Sequence, residues 1–152
     1  MSESLAIKTV ATASDLEDIL QLIAAYQNFY ECKPDLDGNR TFFGQFLKNP
    51  TKGIQFAAYL QNKPVGFATL FFPLSSTNVN NYCLMNDLFV TDSCRGHGVG
   101  GKLIHHCTAF AREKGFNSLE WMTMLSNSGA QKLYDRFHQA KKTAWYSYSI
   151  PV

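Results

Sequence analysis

Apolar residues recur along this chain at two spacings, one typical of helices and one typical of strands. After a first strand over 5–11, intervals of three and four residues predict a helix that begins at a capping box of Ser14 and Glu17. The helix continues toward Glu31, and its apolar face is formed by Leu16, Ile19, Leu20 and Ile23. A loop over 32–40, rich in Pro, Gly, Asn and charged residues, then leads to a shorter helix with Thr41 as its N-cap.

The middle of the chain favours strands. Two apolar runs, 54–60 and 65–72, flank a turn at 61–64, which predicts an antiparallel hairpin. A polar loop over 73–81 precedes the apolar run 82–90, whose continuity is typical of a strand in the interior of a sheet. Asn86 and Asp87 interrupt this run with polar side chains.

The last third alternates helix and strand. Helical spacing runs from Val99 to a glycine stop at Gly115, and it is followed by a strand over 118–124, a helix over 127–138 and a strand over 143–150. The predicted order is βααβββαβαβ, which favours an α/β (α+β) fold with a mixed central sheet and helices on both faces. At 152 residues, we expect one domain over 1–152.

Composition narrows the possible functions. A net charge of +2 is too small to predict an extended nucleic-acid interface. The chain has no basic and apolar leader and no apolar run long enough to span a bilayer, so we expect a cytoplasmic protein without membrane contact. The four cysteines lie far apart and His105 and His106 are adjacent, so no metal site is predicted.

The most informative segment is a glycine-rich stretch between the strand 82–90 and the following helix. Glycines let the backbone turn sharply, and the first turn of a helix carries unpaired N–H groups, so this arrangement suits a diphosphate. Gly96 to Gly101 also satisfies the dinucleotide pattern G-x-G-x-x-G. The polar residues 91–95, which separate the strand from the glycines, disfavour that interpretation.

Arg95, Gly98 and Gly100 satisfy R-x-x-G-x-G, and with the runs NDLFV and N-x-x-A-x-x-L-Y the chain resembles the GNAT superfamily of N-acetyltransferases over nearly its whole length. Its pattern is most similar to that of small histone- and polyamine-type acetyltransferases. The resemblance implies acetyl-CoA as cosubstrate, a sheet whose fourth and fifth strands splay apart, and possible homodimers.

The resemblance also assigns the residues that hold the cofactor. The backbone of Leu88, Phe89 and Val90 would meet the thioester and pantetheine, helped by a bulge that frees an amide as an oxyanion donor. Asn127 and Ala130 would contact the pantetheine arm, and the Tyr134 hydroxyl would protonate the leaving thiolate. The pyrophosphate loop would consist of Arg95, Gly96, His97, Gly98, Val99, Gly100, Gly101 and Lys102.

The acceptor side depends on acidic and aromatic residues. Asp87 is the candidate for holding and helping to deprotonate the amine, although polyamine acetyltransferases carry a glutamate where this chain has Asn86, so a water relay stays open as the base. Tyr26, Tyr30 and Glu31 are the further candidates for substrate binding. The predicted acceptor is a primary amine, either a polyamine, a lysine side chain or a small amino compound, attacked directly in a ternary complex. A non-catalytic acyl-CoA-binding module is the alternative, and a dinucleotide-binding protein is a more remote one.

Overall fold

A computed structural model describes residues 4–152 and divides the chain into a unit that ends at Met122 and a second unit, Thr123–Val152. The helices of the first unit are α1 (Ala13–Phe29), α2 (Leu36–Lys48) and α3 (Val99–Glu113). Its strands are β1 (Leu5–Thr9), β2 (Ile54–Leu60), β3 (Lys63–Phe71), β4 (Leu74–Ser75), β5 (Asn80–Asn81), β6 (Cys83–Val90) and β7 (Leu119–Glu120). The second unit contains α4 (Ser128–Tyr134). No helix of the described residues is long and apolar enough to cross a membrane.

Five of the strands form one mixed sheet in the order β1-β2-β3-β6-β7, while β4 and β5 pair in a small separate ladder. The first four strands of the sheet are antiparallel, and β7 runs parallel to β6 after the α3 crossover. β7 pairs with β6 only at Cys83 and Leu84, so the rest of β6 extends beyond the end of this ladder. This is the splayed arrangement that the resemblance implied for the fourth and fifth strands of the sheet, which are β6 and β7.

Helices cover both faces of the sheet. On one face, α1 and α2 pack through Ile19, Ile23 and Phe43 into a cluster with Phe67 and Phe89. On the other face, the ring of Phe56 lies against His106 and Phe110 of α3, at centroid distances of 4.6 and 5.3 Å. The predicted α/β class and the two-sided packing are confirmed.

Both N-caps predicted in the first third of the chain are wrong. The capping box of α1 uses Thr12 and Asp15, and Asp15 accepts from the backbone of Ala11 and Thr12 at 3.0 and 2.9 Å. The same spacing of a hydroxyl and an acid therefore operates two residues earlier than at Ser14 and Glu17, and Glu17 instead forms an ion pair with Arg40.

Helix α2 begins at Leu36, so most of the predicted loop over 32–40 and the Thr41 cap are helical. Asp35 is the cap, and its carboxylate accepts from the Gly38 N–H at 3.0 Å. Asn39 is buried in this added turn, although its polar side chain favoured a loop in the sequence. It exchanges two 2.8 Å amide hydrogen bonds with Gln27 of α1, which compensate the cost of burying its amide.

The C-terminal elements are shorter than predicted. The strand expected over 118–124 is limited to β7, and the helix expected over 127–138 ends at Tyr134. Residues 143–150 form no strand in the described part of the chain, and the side chains of Trp145, Tyr146 and Tyr148 are exposed. A strand is stable only when a neighbour accepts its backbone hydrogen bonds, and the alternating pattern of one segment does not reveal whether that neighbour exists.

Candidate active site

A β-bulge in β6 lies at the centre of the candidate site. Thr69 of β3 is opposite Asp87, whereas the next residue, Leu70, is opposite Met85, which leaves Asn86 as the extra residue. Because neighbours on β3 face opposite sides of the sheet, Met85 lies on the α3 side and Asp87 on the α1 side. The bulge that the sequence predicted in this strand is present.

Asp87 is buried, and its carboxyl group has three polar neighbours. Asn86 donates through Nδ2 to Oδ1 at 3.0 Å, and the hydroxyls of Thr69 and Tyr26 also hydrogen-bond to the carboxylate. Burial raises the pKa of the Asp87 carboxyl above its ordinary value, and these three hydrogen bonds oppose the rise. A carboxyl group in this setting is a stronger base than an exposed aspartate.

Tyr26 connects α1 to the bulge. Its hydroxyl lies 3.4 Å from the carbonyl oxygen of Asn86 and also hydrogen-bonds to Asp87, so one phenolic proton serves two oxygens. Burial and the nearby charge of Asp87 raise the pKa of Tyr26, so the phenol stays protonated at neutral pH. The ring of Tyr26 packs edge-on against Tyr30 at 5.0 Å and against Phe67 at 5.9 Å.

The end of α1 carries the other predicted substrate residues. Tyr30 is the C-cap of the helix and is partly exposed, with the exposed Phe29 ring 5.1 Å from it. Glu31 is exposed and has a left-handed backbone with φ of 58°, which few non-glycine residues adopt. The structure thus brings Tyr26, Tyr30 and Asp87 together and places Glu31 next along the chain from Tyr30.

The glycine loop forms a cradle of backbone groups. Gly96 and Gly98 have φ of 78° and 81°, and a Cβ at either position would meet no atom within 4 Å, so the space beside them is open. Gly98 is the N-cap of α3, and no side chain caps this helix, which leaves the first-turn N–H groups of Val99, Gly100 and Gly101 available to an anion. These features fit a diphosphate such as that of coenzyme A.

Arg95 and His97 stabilise the loop from within. The Arg95 guanidinium donates from Nε to the Val90 carbonyl at 3.0 Å, forms an ion pair with Asp92 at 2.7 Å and lies over the Phe89 ring. The Nδ1 atom of His97 lies 2.9 Å from the Arg95 carbonyl oxygen. Lys102 is exposed on the first turn of α3. Arg95 therefore links the loop to the end of β6, where Leu88, Phe89 and Val90 lie.

The second unit contains the remaining predicted residues. Asn127 is the N-cap of α4, and its side-chain oxygen accepts from the Ala130 N–H at 3.2 Å. Tyr134 is the last residue of this helix and is partly buried. Asn127 therefore caps α4, a role that is compatible with the contact to the pantetheine arm that the resemblance implies for it.

Gln55 and Thr69 are two polar residues near the bulge that the sequence analysis did not single out. Both are buried, and Gln55 Nε2 donates to Thr69 Oγ1 at 3.0 Å. Their signal in the sequence was a polar residue inside each of two apolar strands. Among residues 4–152, no cluster of three or more His, Cys, Asp or Glu side chains could hold a metal ion.

Comparison with known proteins agrees with the fold and the loop. The model of the acetyltransferase (GNAT) family matches residues 16–138, and the chain belongs to this family. It is therefore an N-acetyltransferase, in a family whose usual acetyl donor is acetyl-CoA. Family membership replaces the dinucleotide interpretation of the Gly96–Gly101 pattern.

Individual relatives span most of the chain. It is 30% identical over 142 residues to the uncharacterized N-acetyltransferase YhfO of Bacillus subtilis, covering 93% of this chain and 95% of that one. It is 33% identical over 114 residues to the D-amino-acid N-acetyltransferase HPA3 of Saccharomyces cerevisiae, covering 73% and 70%. The crystal structure of a probable acetyltransferase superimposes with a TM-score of 0.81 at 22% identity, covering 98% and 97%.

Proposed function

We propose that this enzyme transfers an acetyl group from acetyl-CoA to a primary amine by direct attack in a ternary complex. The observation that carries the proposal is the course of β6, which bears the buried Asp87 carboxyl beside a bulge and then leads through Arg95 into the uncapped, glycine-rich start of α3. A site for an amine and a site for a diphosphate therefore lie on one continuous stretch of backbone.

Asp87 is the residue assigned to the amine. An alkyl amine with a pKa of about 10.4 is neutral only about 0.04% of the time at pH 7, so the enzyme must favour loss of its proton. A buried carboxyl whose pKa is raised binds the ammonium form and takes up or relays a proton more readily than an exposed one. With Asn86 where related enzymes carry a glutamate, Asp87 acts either directly or through one water.

The acceptor class follows from the end of α1. The exposed aromatic rings of Phe29 and Tyr30 offer faces to a cation, and Glu31 and Asp35 add negative charge at the same end of the helical hairpin. The carboxylate of Asp37 is already paired with Arg40. This combination favours a cationic amine, either a polyamine, a lysine side chain or a small amino compound. The yeast relative, named for acetylating D-amino acids, is consistent with an amino compound of low mass.

Backbone groups are assigned to the acetyl donor. The first-turn amides of α3 and the loop 95–102 would bind the pyrophosphate, and the exposed ammonium of Lys102 would add positive charge. The backbone at Leu88, Phe89 and Val90 would bind the pantetheine and the carbonyl oxygen. When bound, acetyl-CoA supplies the activated thioester. Asn127 and Ala130 are assigned to the pantetheine arm, and the Tyr134 hydroxyl to protonation of the departing sulfur.

The cysteines support direct attack. Burial raises the pKa of Cys83 to about 11 and that of Cys107 to about 12, so neither thiol ionises readily at neutral pH. Cys94 Sγ lies 3.8 Å from Ser93 Oγ, and Cys32 Sγ lies 3.5 Å from the Tyr30 carbonyl oxygen. Neither oxygen is a base that could activate a thiol. A covalent acetyl-cysteine step therefore has little support, and the amine itself is the nucleophile.

Three further properties belong to the proposal: the number of domains, the location and the oligomeric state. One domain over residues 1–152 is supported by the family match, which extends across both units, and a cytoplasmic location stays a prediction from the sequence. A homodimer is supported by the exposed aromatic residues Trp145, Tyr146 and Tyr148 in a segment with strand-like alternation. Sedimentation of the full chain against a Trp145→Ser/Tyr148→Ser variant tests it, since a monomer in both cases would contradict it.

The decisive experiment measures coenzyme A release with a panel of amines that includes polyamines, D- and L-amino acids and lysine peptides. We expect turnover with at least one cationic amine and loss of turnover in Asp87→Asn. Binding of acetyl-CoA without turnover on any amine would favour the non-catalytic module. Failure of calorimetry to detect acetyl-CoA binding would remove the proposal altogether.

A further inference from the structure

A row of three polar side chains crosses the sheet beneath the candidate site. Gln55 of β2 is opposite Thr69 of β3, and Thr69 is opposite Asp87 of β6. Residues paired across adjacent strands share a face, so the three side chains form one line on the α1 side of the sheet. All three are buried, with 3%, 0% and 7% of their surfaces exposed.

The surroundings of this row are apolar. The neighbouring row on the same face contains Ala57, Phe67 and Phe89, all of them buried. Burying polar groups here is unfavourable unless they are hydrogen-bonded, and apolar side chains would fill the same space without that requirement. Gln55 and Thr69 contribute almost no surface to the solvent. Their role in the protein therefore lies in the contact between them and in the contact of Thr69 with Asp87.

The hydrogen bonds in the row have one direction. Gln55 donates from Nε2 to Thr69 Oγ1 at 3.0 Å, which occupies an acceptor site of the hydroxyl. The single hydroxyl proton of Thr69 is then donated to the carboxylate of Asp87. The amide of Gln55 thus orients the hydroxyl, and the hydroxyl holds the carboxylate.

We propose that Thr69, oriented by Gln55, is a positioning residue that fixes the carboxyl group of Asp87 for its work on the amine. This inference rests on the role given to Asp87 in the proposed function. The groups that face Asp87 are Thr69 from β3, Tyr26 from α1 and its own neighbour Asn86, and all three hydrogen-bond to it. Of these, Thr69 alone is fully buried, so it is the partner that solvent and substrate cannot replace.

Removing the Thr69 hydroxyl changes the pKa of Asp87 in a definite direction. The hydrogen bond from Thr69 lowers the pKa of Asp87 against the effect of burial, so its loss leaves the carboxyl harder to ionise. A hydrogen bond to a charged group corresponds to roughly one pH unit or more. Thr69→Val therefore raises the acid limb of the kcat/KM profile by about one pH unit, and the rate loss is about tenfold below that limb and smaller above it.

The test compares Thr69→Val with Thr69→Ser, which keeps the hydroxyl, and with Gln55→Met, which removes the orienting donor at similar length. Thr108→Val is the matched control, because it removes a threonine hydroxyl that bonds to the Ile104 carbonyl of α3 instead. Each variant is assayed for its pH profile and, independently of activity, by carbon-13 NMR titration of the Asp87 carboxyl. We expect Thr69→Val to shift both upward, Gln55→Met to shift both by less, and Thr69→Ser and Thr108→Val to match the parent.

The outcomes separate this inference from the proposed function. An Asp87 titration that is unchanged in folded Thr69→Val overturns the positioning role, even if Asp87→Asn is inactive. Full activity in Asp87→Asn overturns the catalytic role of Asp87, even if the Asp87 carboxyl titrates differently in Thr69→Val and in the parent. Should Thr69→Val fail to fold, Gln55→Met decides the question by the same titration, and no shift there counts against the proposal.

Discussion

Glu31 and Gly115 occupy the same position after helices α1 and α3, and both have a left-handed backbone, with φ of 58° and 78°. The same pair of hydrogen bonds ends each helix. After α1, the longer-range bond joins the Cys32 N–H to the Gln27 carbonyl, and after α3 it joins the Phe116 N–H to the Ala111 carbonyl, both at 2.9 Å. Glycine suits this conformation and glutamate does not. The chain therefore accepts local strain at the end of α1, where the proposed amine site has its acidic side chains.

We predict that Glu31→Gly is more stable than the parent and less effective as an enzyme. Relief of the left-handed strain is expected to raise the free energy of unfolding by about 0.5–1 kcal/mol. Loss of the carboxylate is expected to raise KM for a cationic amine about two- to fivefold. Urea unfolding and steady-state kinetics measure the two effects.

Two variants separate the backbone from the charge. Glu31→Gln keeps the strain and removes the charge, so it should raise KM without stabilising the fold. Gly115→Ala has open space around its new Cβ, so its expected cost of about 1 kcal/mol comes from φ alone. An unchanged KM in Glu31→Gln would remove Glu31 from the substrate site.

Asp87→Asn is expected to lower kcat/KM on the order of 100-fold, because the carboxyl that holds and helps to deprotonate the amine is lost. Its stability should also respond differently to pH. The folded-state pKa of Asp87 is raised above 3.8, so the native protein binds more protons than the unfolded chain between these two pKa values, and stability falls as pH rises through this window.

Asp87→Asn has no carboxyl group to ionise at this position, so it does not lose stability in this way as the pH rises. Its free energy of unfolding relative to the parent should therefore increase between pH 3.5 or so and neutrality. Urea unfolding across that range checks the sign, and comparing slopes rather than absolute values removes the constant effect of the substitution. A difference that stays flat with pH would mean that Asp87 ionises as easily in the fold as in the unfolded chain.

Gly98→Ala is expected to weaken acetyl-CoA binding by at least about tenfold. Gly98, the N-cap of α3, has φ of 81°, which alanine rarely adopts. The new methyl group would also lie in the open space beside the amides proposed to bind the phosphates. Calorimetry with acetyl-CoA measures the change. Gly44→Ala in α2 is the control, because its Cβ also meets open space but its helical backbone accepts alanine. Equal affinity of the two variants would contradict the cradle assignment.

Tyr134→Phe tests the proposed acid. We expect kcat to fall on the order of tenfold to 100-fold with the affinity for acetyl-CoA unchanged, because only the proton donor is removed. Tyr146→Phe removes a hydroxyl from an exposed tyrosine and should have no effect on kcat. A parent-like kcat in Tyr134→Phe would leave the thiolate to be protonated by solvent.

The elements that the sequence predicted well are those whose signals are local. The α3 helix has its glycines before it and Gly115 after it, so both ends are set by the residues at the ends themselves. The turn between β2 and β3 likewise lies at Gln61 and Asn62, which both have positive φ, and it needs no distant partner.

The elements predicted poorly depend on choices between similar signals or on distant contacts. Two hydroxyl–acid pairs at the same spacing lie at the start of α1. The sequence does not show that the short side chain of Asp15 binds the cap while Glu17 reaches Arg40. Asn39 can be buried in α2 because Gln27 satisfies the hydrogen bonds of its side-chain amide. In the site, Asp87 was visible as a charge in an apolar strand, whereas Thr69 and Gln55 became relevant only through the pairing register.

The extra residue at Asn86 also constrains how β6 can pair with β3. On a regular strand, two residues separated by one position face the same side of the sheet. Because of the extra residue, Met85 faces the α3 side and Asp87 faces the α1 side. If β6 paired with β3 at its full length but without the bulge, with Met85 still opposite Leu70, Asp87 would be opposite Ala68 and would face the hydrocarbon packed around Leu70. Substitutions along this strand can retune the chemistry, but they must preserve the bulge, because the bulge sets which face of the sheet carries the acid.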